Sequence, residues 1–174
     1  MAALSTVALM SMSAGSAIST AASQRQQATG AERQGAFEQG MFNINADLAD
    51  DEAADAIARG REAELRQRQA TRGLIGSQRA ALAAQGIEVN DGSALDVQAD
   101  SASLGELDAL TIRNNAAREA FGLNVQAMNF RNQGQLAALG GRNQAKALRS
   151  ASVSTLLTGA ANTYGIYQQS KRES

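Results

Sequence analysis

No proline interrupts this chain, and dense turn chemistry occurs in one place only, Ala84-Gln-Gly-Ile-Glu-Val-Asn-Asp-Gly-Ser-Ala-Leu-Asp96. Without proline, no position is barred from helix by a missing backbone donor. Gly86 can close a helix in the left-handed conformation that other residues resist. Asn90-Asp91-Gly92 is a turn signal, because Asn and Asp bond their own backbone and Gly tolerates positive φ. Ser93 stands where an N-cap belongs, with Asp96 three residues on, a weaker form of the capping box. The pattern predicts an all-α fold, a long antiparallel helical hairpin with a first arm over 25–85, a tip at 86–93 and a second arm over 94–149. Uncharged helical segments lie outside the arms at 1–24 and 150–174, the latter ending in a basic tail.

The apolar fraction of 44% is largely alanine, and aromatic residues make up only 3%. Thin helix-on-helix contacts suit such a chain better than a thick core, and the length of 174 residues fits one domain. Histidine and cysteine are absent. That excludes His-based triads, thiol nucleophiles, disulfides and zinc–thiolate sites, and leaves the redox compartment open. The net charge of −1 argues against nucleic-acid binding through a basic excess, so no sequence-specific nucleic-acid partner is expected. The acidic run Asp50-Asp51-Glu52 with Asp55 reads as a solvated helix face, since no turn wraps its oxygens around one centre. Glu106 and Asp108 lie two apart on a helix and do not face each other. No catalytic, cofactor or metal residues are expected, and the separated carboxylates of a wall-cleaving hydrolase are not identifiable.

Within the first arm, Phe37, Met41, Ile44 and Leu48 follow 4, 3, 4 spacing and predict one seam of the helix surface. Asp55 to Arg59, Glu62 to Arg66 and Glu64 to Arg68 are acid-before-base pairs at i,i+4. Glycine weakens a helix, and a break is expected near Gly73 or Gly76. In the second arm Leu107, Leu110, Ala117, Phe121, Val125 and Met128 form a stripe interrupted by Asn114. An Asn buried in such a seam fixes register, which is the role expected of Asn114 beside Phe121. Gly140-Gly141 is expected to loosen or end the helix.

Arms folded about Val89 bring residues i and j together when their numbers sum to a value near that of a symmetric fold. Charges then pair: Asp100 with Arg79, Glu106 with Arg72, Glu119 with Arg59 and Arg61, Arg131 with Asp47, Arg142 with Glu38, and Lys146 with Glu32, while Arg113 and Arg118 meet neighbourhoods of mixed sign. The same fold sets Arg25 level with Arg149, so the charge-free stretches 1–24 and 150–170 lie side by side. Each would be roughly 32–36 Å long as helix, about the hydrocarbon thickness of a bilayer. Ser11, Gly15 and Ser19 fall at four-residue spacing, as do Ala151, Thr155 and Gly159, the small-xxx-small pattern of closely packed membrane helices. Tyr164 and Tyr167 precede Lys171-Arg172, an order found at membrane–water boundaries. The first segment fits as well a buried or weakly ordered tail, and the second is better read as an ordinary hydrophobic C-terminal helix with two amphipathic tyrosines. The start lacks the positive n-region of a secretory signal, so none is read there.

Four stretches carry a family resemblance: Asn43-Ile-Asn-Ala-Asp-Leu48, Gly73-Leu-Ile-Gly-Ser-Gln-Arg-Ala-Ala81, Asp91-Gly-Ser93 and Ile112-Arg-Asn-Asn-Ala-Ala-Arg-Glu119. With the uncharged Ala- and Ser-rich start, they resemble the smallest internal core protein of short-tailed bacteriophages, one of the ejection proteins. The resemblance runs from about Gln24 to Met128. It implies a non-enzymatic virion protein stored inside the capsid above the portal, beside larger ejection proteins. On infection such a protein leaves through the tail and helps build a channel across the Gram-negative envelope, at the outer membrane. Hairpins packed side by side in a homo-oligomeric ring are expected. The competing expectation is a purely structural helical adaptor or scaffold ring, portal-associated or of secretion-filament type, that enters no membrane.

Overall fold

The computed structural model describes the backbone of residues 2–172 and the side chains of these except 2–10, 13 and 170. Two helices account for nearly all of it: α1, Ala2–Ala84, and α2, Gly92–Arg172. They pack against each other as a hairpin. The join is built by the residues that announced it. Gly86 adopts φ 76°, its N–H bonds to the Ala83 carbonyl at 3.0 Å, and the Ile87 N–H bonds to the Leu82 carbonyl at 3.1 Å. That pair of bonds is the Schellman closure, and it satisfies carbonyls that the helix end would otherwise orphan. Gly92 is also left-handed, at φ 57°, and its N–H donates to Asp91 Oδ1 at 2.8 Å. Helix α2 begins at Gly92, so Asp91 rather than Ser93 stands immediately before it. Gln98 completes the tip: its amide Nε2 lies 2.8 Å from the Val89 carbonyl and 3.0 Å from that of Ala94.

Neither helix breaks where glycine suggested. Helix α1 runs through Gly73 and Gly76, and α2 through Gly140 and Gly141. An isolated glycine lowers helix stability by about 1 kcal/mol, less than the neighbouring turns and the opposite helix supply. Helix runs on through Arg25 and Arg149, where the uncharged segments meet the arms. Tertiary contacts divide the chain elsewhere, into Ile44–Phe130 and the pair Met1–Asn43 with Arg131–Ser174.

In the Ile44–Phe130 unit the seam is alanine and glycine. Ala46, Ala49 and Ala127 cluster with Phe130 beside them; Ala53, Ala56 and Ala120 cluster with Ile57 and Leu123. Gly60 stands against the Ala116 methyl and Gly105 against the Thr71 side chain. Ion pairs cross outside this seam. Arg59 Nη2 reaches Glu119 Oε1 at 3.0 Å, as the fold about Val89 requires. Arg68, one turn from the expected Arg72, takes Glu106 with both ends of its fork, at 2.7 and 3.0 Å. It also holds Glu64 at 3.0 Å, while Arg79 turns to the Asn90 side chain at 2.8 Å instead of Asp100.

The other unit follows the same rule. Gly134 meets Phe42 and Gln39, Gly35 meets Gly141 and Ala137, and Gly159 meets Ala17. Ala21, Ala28, Ala138, Ala145 and Ser152 are buried with them. Arg149, not Lys146, binds Glu32, at 2.7 Å.

The predicted seams are therefore wrong in one respect. Phe37, Met41, Ile44 and Leu48 are exposed, and so are Leu107, Leu110, Phe121, Val125 and Met128. Phe121 is 70% exposed and Asn114 lies on the same outward face, so neither sets the register of this hairpin; Ala116 and Ala120 occupy the seam instead. The cause is backbone proximity. A methyl added at Gly35 would sit 2.8 Å from the Ala137 carbonyl oxygen, and no bulky side chain fits between helices so close. Each seam alanine brings little more than one methyl, at about 0.8 kcal/mol per buried CH2, while groups worth about 1.5–3 kcal/mol each point outward.

Candidate functional site

Residues 11–24 of α1 and 150–170 of α2 form a charge-free helix pair within one unit. Its contact is set by Ala17 under Gly159 and by Thr155 Oγ1, which lies 3.3 Å from Gln24 Oε1 and 2.9 Å from the Ala151 carbonyl. Successive helix residues rotate by about 100°. Ile18 therefore emerges on one side of Ala17, and Ser16 and Thr20 on the other. On α2, Leu156 and Ala160 emerge on one side of Gly159, and Thr158 and Asn162 on the other.

Two grooves of opposite chemistry result. The first, of about 560 Å³, is walled by Ala14, Ala17, Ile18, Leu156, Ala160, Tyr164, Tyr167 and Thr163, whose hydroxyl donates to the Gly159 carbonyl at 2.8 Å. The second, of about 370 Å³, shares Ala17 and Gly159 but is walled by Ser16, Thr20, Ser154, Thr155, Thr158 and Asn162. At the far end of the apolar side, Lys171 Nζ lies 5.9 Å from the centroid of the Tyr167 ring, and Gln168 Nε2 donates to Tyr164 Oη at 2.8 Å. At the near end, Arg142, Lys146 and Arg149 gather around Glu32.

The candidates read from sequence divide between these surfaces. Ala151, Thr155 and Gly159 are taken up in the contact with α1. Ser11, Gly15 and Ser19 are exposed; the row that meets α2 is Ala14, Ala17 and Ala21 instead. Ser19 Oγ bonds its own helix at the Ser16 carbonyl, 3.0 Å away. Tyr164 and Tyr167 edge the apolar groove. Gly86, Asn90, Asp91, Gly92 and Ser93 form the tip and are exposed, with Asn90 accepting from Arg79 and Asp91 from the Gly92 N–H. The hydroxyl groove was missed, although Ser16 with Thr20, and Ser154, Thr158 and Asn162, recur at four-residue spacing.

Among the described residues no group of three or more His, Cys, Asp or Glu side chains could hold a metal ion. The Arg68 fork holds the Glu106 carboxyl below the usual carboxylate range, and Glu106 in turn raises Arg68. This is an inter-helix clamp, and it edges a groove of about 170 Å³ with Thr71, Arg72, Ile75, Ala102 and Gly105. Among the described residues no helix is long and apolar enough to cross a membrane. Comparison of the chain with protein-family models, with curated proteins and with solved structures gives no match.

Proposed function

We propose that this is an internal virion protein of a short-tailed phage. It is stored above the portal with larger ejection proteins, then expelled to help form a homo-oligomeric channel across the Gram-negative host envelope. The observation that carries the reading is the charge-free helix pair, apolar on one side, hydroxyl-bearing on the other and flanked by cations. Two further features agree with it. A hairpin held by alanine and glycine contacts exposes little new apolar surface when its helices part, so passage through a narrow tail costs little. The resemblance of the four sequence stretches points the same way.

The test is leakage from vesicles made with Gram-negative envelope lipids. The full chain releases a trapped dye, and a chain lacking 1–24 and 150–170 does not. Equal leakage by the two removes the membrane role.

A structural adaptor ring with no membrane step is the second reading. It is favoured by the want, among the described residues, of any helix apolar enough to cross a bilayer. The exposed stripes Phe37–Leu48 and Leu107–Met128 serve subunit packing in either case. Under this second reading the full chain assembles but releases no dye.

A further inference from the structure

The two grooves of the charge-free pair carry an assignment of faces. We propose that the apolar groove beside Ile18, Leu156, Ala160 and Tyr164 takes phospholipid acyl chains, and that the opposite hydroxyl groove lines water. The proposal rests on the membrane reading above and specifies which surface of the pair does what.

Three observations select lipid as the occupant. The first is length. The uncharged run of α2 lies between Arg149 and Lys171, and at 1.5 Å per residue it spans about 33 Å, close to the roughly 30 Å hydrocarbon core of a bilayer. The second is charge. Arg142 and Lys146 stand beyond one end of the run, where Arg149 is held by Glu32 at 2.7 Å, with Lys171 and Arg172 at the other. Cations at both limits complement the phosphates of both leaflets, each such side chain contributing about 1 kcal/mol near an anionic surface. A groove made to receive another copy's helix has no need of paired cationic limits. The third is the aromatic edge. Tyr164 and Tyr167 lie just inside Lys171, where a ring rests among glycerol groups while its hydroxyl reaches water.

The hydroxyl face explains why the helices fail as conventional spans. Average hydropathy asks whether a helix can be surrounded by lipid, and here only one side would be. Ser16, Thr20, Ser154, Thr158 and Asn162 would be expensive against acyl chains and inexpensive against water. In a ring of hairpins this side supplies a polar but uncharged wall. Such a wall hydrates a passing polyanion without binding it through salt links, unlike an arginine-lined pore.

The chain contains no cysteine, so single-thiol probes are unambiguous. Full-length variants Leu156→Cys and Ala160→Cys report the apolar side, and Ser154→Cys and Thr158→Cys the hydroxyl side. Each is labelled with an environment-sensitive fluorophore and added to phosphatidylethanolamine–phosphatidylglycerol vesicles, with helicity and dye release followed in the same samples. Two positions per face guard against one variant failing to fold. The expected result is dye release with a blue shift at 156 and 160, quenched several-fold more by nitroxide lipids than by aqueous iodide, and the reverse preference at 154 and 158. Dye release with the same quenching on both faces overturns the assignment but leaves the channel reading intact. Probes at 156 and 160 that become buried without lipid quenching overturn it too, because a second copy then fills the groove. Absence of both vesicle binding and release removes the channel reading, and the assignment with it.

Discussion

Gly35 and Gly141 face each other across the hairpin so closely that a methyl on Gly35 would lie 3.1 Å from the Gly141 α-carbon. A methyl on Gly141 would meet the Ala31 carbonyl oxygen at 2.6 Å, while Gly140, one residue away, has open space around it. Alanine normally improves a helix over glycine by about 1 kcal/mol. Gly140→Ala should therefore raise the unfolding free energy by about 0.5–1 kcal/mol. Gly141→Ala should lower it, by about 1–3 kcal/mol, since backbone rather than a flexible side chain must give way. Urea denaturation of the two variants, followed by circular dichroism, decides this. If both are stabilised, the close approach is absent in solution.

The Arg68–Glu106 clamp gives a pH dependence of known sign. Its hydrogen bond to Arg68 sets the Glu106 carboxyl below its ordinary value of 4.5 in the folded chain. A carboxyl depressed on folding stabilises above its unfolded pKa, and the contribution fades as pH falls through the folded pKa. Arg68 stays protonated throughout and contributes no titration of its own in this window. The Tm difference between the parent and Glu106→Gln should then be steady near neutrality and shrink as pH drops below about 4. A difference that persists unchanged at lower pH refutes the clamp.

The hairpin was legible because its turn chemistry is concentrated. Gly86 and Gly92 are the two glycines with positive φ, and both lie in the one stretch where sequence placed the bend. The seam was misread because periodicity was weighed by size. Phe37, Met41, Ile44 and Leu48 do lie along one face, but it is the outward one, while Ala46, Ala49, Ala53 and Ala56 keep a helical spacing too quiet to notice. Charge pairing gave the register to within one turn at three pairs: Glu119 found Arg59, Glu106 found Arg68 instead of Arg72, and Glu32 found Arg149 instead of Lys146, whereas Arg79 took Asn90 rather than Asp100 and Glu38 accepts from Gln34 on its own helix. Helix residues four apart share a face, so charge alone does not resolve a one-turn shift. The two-faced nature of the charge-free pair stayed hidden because it depends on which small residue meets the partner helix. Sequence offered Ser11, Gly15 and Ser19 for that role; the chain uses Ala14, Ala17 and Ala21.

Gln98 holds the tip closed in a way its sequence context does not signal. The residue is buried, and its side-chain amide donates to the Val89 carbonyl from a turn ahead in the helix. Gln98→Ala leaves that carbonyl without its donor, a loss of about 1–3 kcal/mol. Hydrogen exchange should accelerate across 85–98 and remain unchanged in the alanine clusters farther from the bend. Exchange that rises evenly along both helices would show that Gln98 acts on the whole hairpin and not on its tip.

The outward face of α2 makes the last prediction. Leu107, Asn114, Phe121 and Met128 recur at seven-residue intervals, so they lie on one line of the helix, and all four are exposed. A chain whose seam holds alanine while its leucine and phenylalanine face water has apolar surface left to bury by association. Each such side chain is worth about 1.5–3 kcal/mol on burial. Sedimentation should therefore show concentration-dependent oligomers. Phe121→Ser and Met128→Ser should each raise the dissociation constant by roughly tenfold or more, with hairpin helicity retained. Asn114 breaks the line with a polar group, and a lone Asn in an apolar helix seam selects register and copy number at a cost in stability. Asn114→Leu should then give tighter but less uniform assemblies, seen as a broadened mass distribution. Oligomers of unchanged size and tightness in all three variants would place the subunit contact on another face.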